Sequence, residues 1–172
     1  MNDDALHDLA TGSALRALAR QIHLLTGLAA RDDVPDLLSA QLVAGQFDLA
    51  AQFRTVSIFA LRTVMPVIGR EWSLAPAEAG IAGLQAQAAD AARQIAAVKR
   101  SAFGGASARR IMHKAGDAVL TQDAATYLVH FAVPNLWFHL SLAYAILRQA
   151  GVPVGKADFD GLHSYPDGFS FV

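Results

Sequence analysis

The sequence predicts an all-α protein built as an antiparallel four-helix bundle. Apolar residues recur at helical spacing in four long runs. Apolar residues make up 53% of the chain against 17% charged, which calls for a large core or a surface completed by a second copy. Strand-like patterning is confined to one short segment. At 172 residues the whole chain, residues 1–172, reads as a single domain.

The first helix is expected from about Ala5 to Ala30, where Leu15, Leu18, Ile22, Leu25 and Ala29 form one stripe. Proline and turn formers in Arg31-Asp-Asp-Val-Pro35 stop it. A short helical piece, Asp36 to Val43, precedes the second helix at about Phe47 to Gly69. That helix is apolar almost all round, the mark of a central position. The third starts near Pro76, a favoured first-turn residue, with Glu78 complementing the helix dipole and Lys99 and Arg100 at the other end. Ser101 to Leu120 breaks the pattern, and Ile111 to Leu120 reads as a small two-stranded hairpin or a loop. Thr121 is positioned to cap the fourth helix, about Gln122 to Gln149, in which Pro134 imposes a kink or break near Ala132. Val154 to Val172 is expected to be an irregular tail that docks Phe159, with Tyr165 or Phe169, on the helices.

Several function classes fall away. The net charge is −1 and the pI about 6.6, so neither nucleic acid nor an anionic membrane is indicated as a partner. The absence of cysteine excludes disulfides, thiolate catalysis and Cys-ligated zinc. The acidic start, Met1-Asn-Asp-Asp4, lacks an apolar signal core and points to the cytoplasm. Arg54 and Arg62 inside the most apolar window, Leu49 to Ile68, argue for a buried helix and against a membrane span. Gly151-Val-Pro-Val-Gly155-Lys156-Ala157 fails as a phosphate loop in both spacing and context.

The polar residues of the fourth helix are the candidate site. Asn135 and His139 are four apart and share a face with Leu128, Ala132, Leu142 and Ile146, read as the inward stripe. His130 lies nine residues before His139; at about 100° per residue the two point in opposite directions in a continuous helix. They meet on one ligand only if the Pro134 kink turns them together. Gln52 is the polar residue best placed to face them from the second helix. Each also has a structural explanation: His139 as a buried imidazole that hydrogen-bonds a neighbouring helix, Gln52 as a core-edge hydrogen-bonding group, Asn135 as repair of backbone groups freed by proline, His130 as a structural or interface residue. Arg109, Arg110, His113 and Lys114 read as a solvated basic loop.

His130-Phe-Ala-Val-Pro-Asn-Leu-Trp-Phe-His139, then Ala143-Tyr-Ala-Ile-Leu-Arg148 and Gly151-Val-Pro-Val-Gly-Lys156-Ala-Asp-Phe159, resembles a bacterial family of unknown function among the DinB/YfiT-like four-helix bundles. Phe47-Asp-Leu-Ala-Ala-Gln52 is similar to its second-helix signature. The resemblance implies a scaffold that often dimerises and often holds a divalent metal on three histidines, one from the second helix and two from the fourth. Some such proteins are thiol-dependent transferases or hydrolases. This second helix has no histidine, and the fourth offers Asn135 and His139 at the relevant spacing. Amide oxygens are weak ligands for zinc or nickel. The expectation is therefore a non-catalytic or small-ligand-binding homodimer without cofactor, its pocket formed by Gln52, Asn135 and His139 with His130 nearby. The alternative is a metal-dependent enzyme that uses His139, helped by those same residues, with zinc or nickel.

Overall fold

A computed structural model describes residues 1–76, 78–166 and 169. The chain is mostly helical. α1 (Asp3–Leu28) starts at Asn2, whose side-chain oxygen accepts the Ala5 N–H at 2.9 Å. Its buried face is Ala14, Ala17, Leu18, Gln21, Leu24, Leu25 and Leu28. Leu15 and Ile22 are half-buried and Ala29 is exposed, so the expected stripe is rotated. Gln21 joins the buried face although it is polar. Its amide donates to the Phe53 carbonyl (3.0 Å) and the Ser57 hydroxyl (3.1 Å), which satisfies it inside the core.

α2 (Val34–Ser39) takes Pro35 into its first turn, where the sequence suggested a stop signal. α3 (Leu49–Val64) is capped by Asp48, which accepts the Ala51 N–H at 2.7 Å. The helix thus begins two residues later than expected, leaving Phe47 outside it. A 3₁₀ turn, Pro66–Ile68, closes on Gly69 at φ 67°.

α4 (Gly80–Ala96) starts four residues after Pro76. The chain before it lies along the helix: Gln87 donates to the Ala75 carbonyl (2.7 Å) and Gln94 to that of Ser73 (2.9 Å). Gly83 allows the approach, since a Cβ there would fall 1.9 Å from the Glu78 carbonyl oxygen. Arg100 lies beyond the helix and pairs with Asp4 and Asp8 of α1, at 3.2 and 2.6 Å.

The expected hairpin is present and runs further than foreseen. β1 (Arg110–Ala115) pairs antiparallel with β2 (Ala118–Asp123), His113 facing Leu120 across the ladder. Asp123, in place of Thr121, caps the short α5 (Ala124–Tyr127) by accepting the Thr126 N–H at 2.9 Å. The helix then runs through a π turn, Leu128–Ala132, into α6 (Val133–Gln149). Pro134 sits in the first turn of α6, where a missing N–H is tolerated. There is no break.

The π turn does shift the phase. Val133 bonds five residues back, to Leu128, and one extra residue in a turn rotates everything beyond it. The buried line is therefore Leu128, Ala132, Leu136, Leu140, Ala143 and Leu147, with Ile146 also buried as expected. Asn135, His139 and Leu142 fall half-buried on its flank, a correction to the inward stripe read from a uniform helix.

α7 (Lys156–Asp160) is a short helix within the expected irregular tail. Its Phe159 packs on Trp137 and Tyr144, centroids 5.9 and 5.5 Å apart. Tyr165 and Phe169 stack on each other at 4.6 Å; residues 167, 168 and 170–172 of the tail lie outside the described residues. α1 packs on α3, α4 and α6, and α3 also packs on α4 and α6. Both are thus central, as the all-round apolarity of the second helix suggests. Among the described residues no helix is long and apolar enough to cross a membrane.

Candidate functional site

The turn before α3 builds one wall of a groove. Gly45 adopts φ 83°, Gln41 donates to the Gln46 carbonyl at 2.6 Å, and Leu49 N–H bonds back to Ala40. Held this way, Phe47 folds over the His139 ring, centroids 6.1 Å apart and 22° from parallel. Phe59 of α3 stacks on the same imidazole at 5.6 Å and 22°, and Phe138 meets it edge-on at 5.2 Å.

His139 Nδ1 lies 2.8 Å from Gln52 Oε1. The amide nitrogen of Gln52 donates to the Phe47 carbonyl at 3.5 Å. A carbonyl only accepts, so this contact orients the amide and assigns the imidazole proton to Nδ1. Burial pushes the His139 pKa below its ordinary 6.5. The neutral ring keeps its lone pair on Nε2, which has no protein partner among the described residues and is not sealed from solvent. Gly45, Gln46, Phe47, Gln52, Phe138, His139 and Leu142 line the groove, about 320 Å³ in volume, and none carries a formal charge.

The four predicted residues do not all meet. Gln52 and His139 do. Asn135 donates to the Phe131 carbonyl of its own helix at 2.7 Å, so its amide serves the backbone of the π turn. His130 is exposed and does not line the groove.

A third polar residue was missed. His113 belongs to no solvated loop: on β1 the alternation turns Ile111 and His113 inward and Arg110, Met112 and Lys114 outward. Its ring packs on Phe131 (4.2 Å) and edge-on to Tyr127 (4.9 Å), and its Nε2 lies 2.9 Å from Gln122 Oε1. Nδ1 is buried and has no partner among the described residues. Arg62 lies over Phe59 and Phe131, at 4.8 and 4.9 Å, and donates to the Lys114 carbonyl at 2.8 Å. The period-two pattern from Arg110 to Lys114 was the available signal.

The donor set does not suit a divalent metal. Gln52 Oε1 accepts from His139, Asn135 is engaged with its own backbone, and one imidazole nitrogen remains. Among the described residues no group of three His, Asp or Glu side chains stands at metal-holding distance. A larger groove, about 390 Å³, lies between the end of α1 and the α6–α7 connection. Its polar groups are mostly spoken for: Asp158 accepts from His23 (2.8 Å) and the Gly155 N–H (2.7 Å), and Arg31 grips Asp33 through two nitrogens. The His23–Asp158 contact fastens α7 to α1.

Comparison with known proteins adds the family. A domain of unknown function, DUF1993, matches residues 6–160. No curated protein matches. Among solved structures, the chain is similar to a DinB family member protein from Shewanella denitrificans, solved at 1.83 Å. The two share 25% identity and a TM-score of 0.79, over 96% of this chain and 98% of the other. The chain belongs to DUF1993, a family of unknown function within the DinB-like superfamily.

Proposed function

We propose that this protein is a small-molecule-binding member of the DinB-like superfamily that works without the three-histidine metal site. In this reading α1, α3, α4 and α6 form the four-helix bundle, supported by the mutual packing of α1 and α3 with the other two. The ligand occupies the groove between the Gly45–Phe47 turn and α6. The single observation that carries the reading is the Gln52–His139 pair. It fixes the imidazole, consumes the amide oxygen a metal would need, and leaves one open nitrogen at an aromatic groove. Positioned polar atoms in an apolar concavity are the usual make-up of a small-molecule site.

The metal-dependent transferase or hydrolase is the weaker reading, because neutral amides already engaged in hydrogen bonds are poor ligands for zinc or nickel. Metal analysis of the purified protein, with thermal melts in EDTA, zinc and nickel, separates the two. The expected outcome is no stoichiometric metal and unchanged melting. One bound zinc or nickel per chain, lost in His139→Ala, would sink the proposal.

A further inference from the structure

Resting on that reading, we infer that the groove at His139 takes a flat, uncharged, apolar molecule that carries one O–H or N–H donor, of the phenol or indole class. Four features set the class. Among the described residues the groove walls present no formal charge, so neither an anionic nor a cationic ligand would find a counter-ion there, and desolvating its charge would go uncompensated. Phe47 and Phe138 stand at the rim, 54% and 56% exposed. They offer ring faces and edges that a flat molecule covers on entry, with the geometry aromatic pairs prefer.

The polar contact that His139 offers has one sense. Gln52 holds the Nδ1 proton of His139, so Nε2 presents a lone pair and accepts. A ligand that brings only acceptors leaves that nitrogen without a partner and loses its own hydration. A ligand with one donor satisfies both. Burial of the imidazole works in the same direction, keeping the ring neutral and Nε2 free to accept. Phe59 backs the ring from the core side, so the imidazole does not swing to suit other partners. The groove, about 320 Å³, is at the small end for ligand sites, which suits a one- or two-ring molecule.

The test uses the full chain and four probes of one shape: indole, benzofuran, indole-3-acetate and tryptamine. Binding is read by NMR from the ring signals of Phe138 in both proteins and of His139 in the wild type. Indole is expected to saturate these signals. Benzofuran, the same shape without a donor, should bind about three- to tenfold more weakly, and the charged pair more weakly than indole. In His139→Phe, which keeps a ring in the stack and removes the acceptor, indole and benzofuran should become equal. Benzofuran binding the wild type as tightly as indole would overturn the donor requirement. Tighter binding of indole-3-acetate or tryptamine would overturn the neutral class. Either result leaves the groove as a ligand site. If none of the four perturbs these signals, the ligand-site reading falls as well. Should His139→Phe not fold, the wild-type ratio of indole to benzofuran decides the matter.

Discussion

Two histidines in this molecule have the same kind of surroundings and opposite prospects. His139 and His113 each give one ring nitrogen to a glutamine side chain, Gln52 at 2.8 Å and Gln122 at 2.9 Å. Each is held between aromatic rings. They differ in the second nitrogen. At His139, which lines the groove, it is not sealed from solvent; at His113 it is buried with no partner among the described residues. An unpaired buried acceptor is a standing cost to the fold. An unpaired acceptor at the edge of an apolar groove is solvated when the groove is empty and available when a ligand arrives. The same chemistry is therefore structural at the hairpin and suited to binding at the turn.

The two sites are not independent. Phe59 stacks on His139 and meets Phe131 at a tilt, 5.8 Å away, and Phe131 packs on His113. Phe59→Ala should therefore produce the largest effect of the substitutions considered, a loss of about 3–5 kcal/mol in urea denaturation. It should also disturb the NMR signals of both histidines. Signals at His113 that stay in place would break the link between the sites.

Separating them comes next in size. His113→Ala opens a cavity beneath the hairpin and strands Gln122, and should cost about 2–3 kcal/mol. His139→Ala removes a half-buried ring at a groove, and should cost about 1 kcal/mol or less. Equal losses would remove the distinction between a sealed and an open site. Smaller again is the coupling of Gln52 with His139. A double-mutant cycle of Gln52→Ala and His139→Ala should return about 0.5–1.5 kcal/mol, the range for one hydrogen bond. A coupling near zero would mean that Gln52 does not hold the imidazole proton, and the ligand polarity argued above would lose its basis.

How far the sequence alone revealed this contrast follows from local physics. Helical periodicity located the long helices, and the turn-separated short strands between Ile111 and Leu120 located the hairpin. Gln52 and His139 were legible as partners because both are polar groups within apolar runs. His113 was not, since three basic neighbours masked the alternation that buries it. The π turn also escaped, because nothing in Leu128 to Ala132 marks an inserted residue; its consequence, the rotation of Asn135 away from the core line, was lost with it. The apolar character of Phe47 fits a helix. Asp48 is the better cap, and the turn it ends makes Phe47 a wall of the site.

The smallest expected effect concerns acid, and it bears on the open site alone. Burial holds the His139 pKa in the folded protein below the 6.5 of a free imidazole. Between those two values the unfolded chain binds the proton and the folded chain does not, so stability falls as pH drops through 6.5 and the loss ends once pH passes the folded value. Replacing the ring by Gln removes this dependence. The difference in unfolding free energy between wild type and His139→Gln should therefore shift against the wild type as the buffer moves from neutral to mildly acidic, measured by urea titrations at matched ionic strength. The direction matters for function too. Protonation fills Nε2, the open acceptor of the imidazole, so a donor-bearing ligand should lose affinity over the same interval in which the fold loses stability. If stability declines in acid while binding does not, His139 shapes the groove without touching what binds there.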